Sequence, residues 1–171
     1  MIQMTINTVN WATMESKKDI CELMDKLTIE ILDLMEDEVK LKIDIEKNSN
    51  SGNLLIAKAR YIQGQQTVSA SQLPTENTPE FKALMTVGSD GQESTGDAVN
   101  VALEQHRVSK EDGYIDPIKW FGILVPQSLQ LARTRFVKTI ELVVSCTNTQ
   151  LQLNHALRQL TGLRQMKEVH S

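Results

Sequence analysis

Three histidines, two cysteines and an acidic triplet are the side chains of this 171-residue sequence whose types suit catalysis or metal binding. A hydrolytic triad or a zinc site needs such groups at spacings that let a fold set a base beside a nucleophile, or three donors around an ion. His106, His155 and His170 are scattered, and no carboxylate or cysteine accompanies any of them at ligand or triad spacing. Cys21 and Cys146 stand far apart and outside any C-x-x-C pair, which argues against both a zinc site and a disulfide scaffold and fits a reducing compartment. Glu36-Asp37-Glu38 reads as a solvated acidic face ahead of a divalent-ion site. Gly88-Ser89-Asp90-Gly91 is too short for a phosphate loop and lacks its Gly-Lys-Ser/Thr. The expectation is a protein without catalytic residues, cofactor or metal.

Composition narrows the remaining classes. Net charge is −4 with no basic block, so the sequence carries no electrostatic footprint for nucleic acid. No run of 18 apolar residues occurs and the start lacks a signal-peptide pattern, so a direct membrane span is not expected and membrane association would come through a partner. Aromatics make up only 4% and glycine and proline are few, which favours helices packed through Leu, Ile, Met and Ala.

Two long heptad runs supply those helices. Between 16 and 63, steps of four and three pick out Ile20, Met24, Leu27, Ile31, Leu34, Glu38, Leu41, Ile45, Asn48, Gly52, Leu55, Ala59 and Ile62. The phase survives the weak stretch Asn48 to Asn53, which predicts one continuous helix, locally weak near Gly52. From 126 to 168 a second seam follows Leu129, Ala132, Phe136, Thr139, Val143, Cys146, Gln150, Leu153, Leu157 and Leu160, with Ile140, Val144, Leu151 and Leu163 widening it toward a third element. Residues 15–46 carry eleven acids against five bases and residues 126–171 six bases against two acids, so the two should pair with each other. Residues 1–15 read as irregular. Residues 64–113 read as an acidic, disordered insertion, relieved by a docking turn or short strand at Phe81 to Met85 and two helical turns at Ala98 to His106. The predicted fold is all-α: a long antiparallel coiled-coil hairpin with a largely disordered insertion.

One block interrupts this plan. Residues 114–125 form an apolar knob framed by Pro117 and Pro126, the second proline suited to a first helical turn. Trp120, Phe121, Ile123, Leu124 and Val125 are too many to leave in water. They either cap the end of the helix pair or dock on a partner. Lys58, Arg60 and Tyr61 crowd the end of the first helix, where cations favour a helix C-terminus and where Ala59 and Tyr61 are placed to receive the knob. A Trp120 ring buried there would cost about 3 to 5 kcal/mol on truncation to alanine.

At these two places the sequence resembles a known family. Leu55-Ile56-Ala57-Lys58-Ala59-Arg60-Tyr61-Ile62-Gln63-Gly64 and Asp116-Pro117-Ile118-Lys119-Trp120-Phe121-Gly122-Ile123-Leu124-Val125-Pro126-Gln127-Ser128-Leu129 look like the paired signatures of the vacuolar proton-ATPase assembly factors, coiled-coil domain-containing proteins in animals with a yeast counterpart. The resemblance implies a chaperone at the cytosolic face of the endoplasmic reticulum and, in animals, the ER–Golgi intermediate compartment. It further implies a multi-spanning ER membrane assembly factor as partner and transient stabilisation of the large membrane-embedded subunit of the V0 sector, on which lysosomal acidification depends. Without the resemblance, the heptads also suit a coiled-coil tether or scaffold subunit of a membrane-trafficking complex.

Overall fold

A computed structural model describes residues 17–64, 68–89, 100–109 and 111–169; the irregular segment expected at 1–15 lies outside them. Helix α1 runs Lys17–Gln63 and helix α2 runs Gln127–Val169, with strands β1 (Met85–Ser89) and β2 (Val101–Gln105) between them. The helices pack antiparallel. Ile20, Leu27 and Ile31 near the start of α1 share a core with Ala156, Leu160 and Leu163 near the end of α2, while Ala59 at the other end of α1 meets Leu129. At 1.5 Å per residue their 47 and 43 residues make rods of about 70 and 65 Å. Among the described residues no helix is long and apolar enough to cross a membrane.

α1 is continuous through its weakest stretch, and the reason lies across the seam. Gly52 is buried, and a Cβ added there would come within 2.9 Å of the Phe136 ring. The missing side chain is the hole that the aromatic knob fills. Asn48 Nδ2 donates to the Asp44 carbonyl (2.9 Å), and its Oδ1 accepts from Arg135 Nη1 (3.4 Å), tying the same stretch to α2. Two heptads back from Gly52 is Glu38, two heptads on from Phe136 is Gln150, and these two hydrogen-bond through Gln150 Nε2 at 2.7 Å. One heptad the other way, Ala59 and Leu129 share a core cluster. A single register therefore runs from residue 38 to residue 59.

The seam of α2 departs from a strict heptad beyond its middle. Ala156, Leu160 and Leu163 are buried, whereas Leu157, expected in the seam, is 42% exposed. Past Leu153, which packs on this core, the next buried position comes three residues on, at Ala156, where the heptad count expects four, so the buried stripe shifts by one position there and rejoins the counted seam at Leu160. The β-branched run of α2 is helical despite its weak propensity, and its hydroxyls find partners on the preceding turn, Thr147 Oγ1 donating to the Val143 carbonyl at 2.9 Å and Ser145 Oγ to the Glu141 carbonyl at 3.0 Å.

The described parts of the insertion are not the disordered loop that composition predicts. β1 and β2 pair antiparallel, Met85 opposite Gln105 and Ser89 opposite Val101. The two helical turns expected at 98–106 are replaced by β2 over Val101–Gln105. An isolated two-stranded ribbon is marginal in water; this one is held by Asn148 of α2, whose Oδ1 accepts from the Val101 N–H (2.8 Å) while its Nδ2 donates to the Val101 carbonyl (2.9 Å). The side-chain amide acts as a third strand one residue long. The protein is thus mainly helical, with a small sheet docked on α2.

Gly52→Ala gains about 1 kcal/mol of helix propensity but displaces the Phe136 ring, an overpacking cost of about 1 to 3 kcal/mol. Melting should therefore fall on the native background and rise when the same exchange is made in Phe136→Ala; calorimetry of the four proteins reads the sign. Glu38, half-buried at the seam, accepts from Lys42 Nζ at 2.7 Å as well as from Gln150, and these contacts hold its carboxyl below the ordinary range. A carboxylate depressed by folding contributes stability that is complete above its unfolded pKa, about 4.3, and is lost as pH falls through the folded value. The melting temperature should drop less steeply between pH 5 and 3 for Glu38→Gln than for the native protein.

Candidate functional site

The apolar knob is built on Asp116. One carboxylate oxygen accepts from the Ile118 N–H (3.2 Å) and the other pairs with Arg133 Nη2 of α2 at 3.0 Å, with Pro117 opening a 3-10 helix over Pro117–Phe121. Gly122 closes that turn at φ +110°, a backbone region closed to other residues without strain. The chain then reaches α2 through Val125, whose carbonyl accepts from Gln130 Nε2 (3.2 Å), and half-buried Pro126, whose carbonyl accepts from the Leu129 N–H (3.0 Å).

These constraints divide the predicted site residues. Phe121 and Val125, with Ile118 and Ile56, pack on the buried set Ala59, Val68 and Leu129 and cap the end of the helix pair. Trp120 is half-buried and meets Phe81 edge to face, centroids 5.1 Å apart. Ile123 and Leu124 point into solvent, 101% and 91% exposed. On α1, Ala59 is fully buried against the knob, but Tyr61 is 90% exposed and does not receive it, since two residues on a helix lie on nearly opposite faces. Lys58 and Arg60 are exposed at the same end.

Beside the cap lies an apolar cleft of about 830 Å³. Phe81 and Met85 of the insertion form one wall, Ile56, Ile118 and Phe121 the end, and Phe136, Val137 and Ile140 of α2 the floor. In the sequence, Ile140 stands out only as a residue that widens the second helix toward a third element. That element is the sheet wall, which composition had hidden. A second surface was missed because only one stripe was counted on the first helix: Ile29, Leu32, Met35, Val39 and Ile43, 49–61% exposed, recur every three or four residues along one face of α1.

Two of the three histidines make structural contacts, and His170 lies outside the described residues. His106 Nε2 lies 2.9 Å from Thr86 Oγ1 and its ring stacks on Tyr114 at 4.6 Å, with Lys82 Nζ 5.4 Å from the same tyrosine ring. His155 Nε2 sits 2.9 Å from Gln159 Nε2. Among the described residues no three His, Cys, Asp or Glu side chains converge as a metal site. The arrangement supports binding of apolar surface, with Asp116–Arg133 as its brace.

No protein-family model matches the chain. Relatives found by sequence all carry one description, Vacuolar ATPase assembly protein VMA22. The mouse protein is 27% identical over 168 residues, covering 86% of this chain and 93% of its own. The human protein is 25% identical over 167 residues, with 86% and 92% covered, and the zebrafish protein 29% identical over 153 residues, with 66% and 73% covered. The resemblance to the vacuolar proton-ATPase assembly factors thus extends from two short stretches to most of the chain.

The half-buried setting of Trp120 revises the cost of losing it. Trp120→Ala should destabilise by about 1.5 to 3 kcal/mol, less than for a fully buried ring. A double-mutant cycle with Phe81→Ala should show about 0.5 to 1.5 kcal/mol of coupling; denaturant titration of the four proteins measures it.

Proposed function

We propose that this relative of the vacuolar ATPase assembly proteins is itself an assembly chaperone for the membrane (V0) sector of the V-type proton pump. It acts at the cytosolic face of the endoplasmic reticulum with a multi-spanning membrane assembly factor, holds the large membrane-embedded subunit transiently, and so serves lysosomal or vacuolar acidification. The observation that carries the reading is the similarity to proteins named for V-ATPase assembly over 86% of the chain.

The geometry supplies a fitting mechanism. A chaperone must bind apolar surface well enough to shield it and weakly enough to release it. The cleft of about 830 Å³ admits a few large side chains, far less than a stable interface buries, so contacts made there are short-lived. Its walls come from three parts of the chain held by Asp116–Arg133 and Asn148–Val101, so the cleft is formed before the client arrives. The stripe on α1 offers a longer, separate surface of the kind that accepts a partner helix. That stripe alone also suits a coiled-coil tether, which would form a stable elongated oligomer containing no ATPase subunit.

Affinity purification of the tagged full-length protein from detergent-solubilised native membranes decides between them. The assembly reading expects the multi-spanning partner and the large V0 subunit, without the catalytic sector of the finished pump. Recovery of neither would contradict it. Ile140→Glu, placing a charge on the cleft floor at a partly exposed position, should lower client recovery at least fivefold while leaving the helical content unchanged.

A further inference from the structure

The chain is acidic overall, yet the capped end of the helix pair is not. Residues 47–75 and 117–140 contain lysines and arginines but neither Asp nor Glu. Of the acids bordering these stretches, Asp116 is paired with Arg133 and Glu141 with Lys138, Glu46 lies farther along α1 from the capped end, and Glu76 and Glu80 follow in the insertion. Lys58, Arg60 and Lys119 are exposed there and make no ion pair among the described residues.

The same end carries the two most exposed large apolar side chains among the described residues, Ile123 and Leu124. They are not on a slack loop. Phe121 before them and Val125 after them are packed in the core cluster, Gly122 turns the chain outward, and the Asp116–Arg133 pair fixes the base of the turn. Ile123 and Lys119 border one shallow hollow on this end. The last turn of α1 lies at the same end, because Ala59 packs with Leu129 and Val125; Tyr61 and Ile62 are mostly exposed on it, Tyr61 on the side away from the knob.

A rigid prow of two aliphatic side chains with unpaired cations at the same end is what a bilayer surface with anionic headgroups receives. The aliphatic tips enter the acyl boundary and Lys or Arg meets phosphate and carboxylate. The charge points to lipid of net negative charge rather than to a basic protein surface. The geometry points to this end of the protein as a peripheral membrane-binding site for anionic phospholipid, with Ile123 and Leu124 as the inserting residues. So attached, the helices project away from the bilayer from their capped end. The inference does not depend on the assembly function.

Flotation of the purified full-length protein tests it, using vesicles of phosphatidylcholine alone or with about 30% phosphatidylserine. The native protein should float with the anionic vesicles and at least about fivefold less with the neutral ones. Ile123→Ser with Leu124→Ser should reduce flotation about tenfold or more with unchanged melting, because these side chains are in solvent when unbound. Lys58→Gln, Arg60→Gln and Lys119→Gln together should bring anionic binding down to the neutral level. The proposal is overturned if the native protein does not float with anionic vesicles, if the double serine variant floats as well as the native protein, or if lipid charge makes no difference. Loss of a co-purifying protein in the serine variant, without any native flotation, would instead assign the prow to a protein partner and overturn the membrane site.

Discussion

The hole at Gly52 is the constraint on which the remainder of the molecule depends. Two long amphipathic helices can slide against each other by a heptad at little loss of apolar contact, so their register must be fixed by something specific. Phe136 fits α1 only where a side chain is missing. With that knob seated, Glu38 lies opposite Gln150 and Ala59 opposite Leu129. The remaining anchors act within that alignment. Arg133 stands one turn from Phe136 to brace Asp116, and Asn148 stands three turns along α2 to hold the backbone of β2.

This dependence explains which features were legible in the sequence. The buried residues of α1, Ile20, Leu27, Ile31, Gly52 and Ala59, all fall on the heptad counted from sequence, because a long periodic signal outweighs local propensity. Asn48 and Gly52 look like a loop by propensity and are helical because their contacts are on another helix. The sheet was illegible for a related reason. Its strands are too short for period-two patterning to stand out, and the group that holds β2, Asn148, is 47 residues away in a stretch read only as weak helix. Composition could identify the knob as apolar but could not sort Phe121 inward from Ile123 outward. That division follows from the turn at Gly122 and the pairing of Asp116 with Arg133, neither of which leaves a periodic trace.

The resulting surfaces are spread along the helix pair. One end is capped and basic, with exposed aliphatic side chains; beside it opens the apolar cleft; farther along α1 runs the exposed stripe flanked by acids. Each surface is small. A protein that must release what it holds gains from several weak contacts in place of one extensive interface, since dissociation can then proceed one contact at a time. A buried apolar interface of the obligate kind would hold a client too long for assembly to continue.

The proposed contact of the cleft with a component of the V-type pump during its assembly is open to direct test. A photoreactive amino acid at position 140, on the cleft floor, tests that contact in intact cells expressing the full-length protein. Crosslinks to the large membrane-embedded V0 subunit or to the multi-spanning assembly factor are expected. Crosslinks confined to trafficking-complex coiled-coil proteins would contradict that contact.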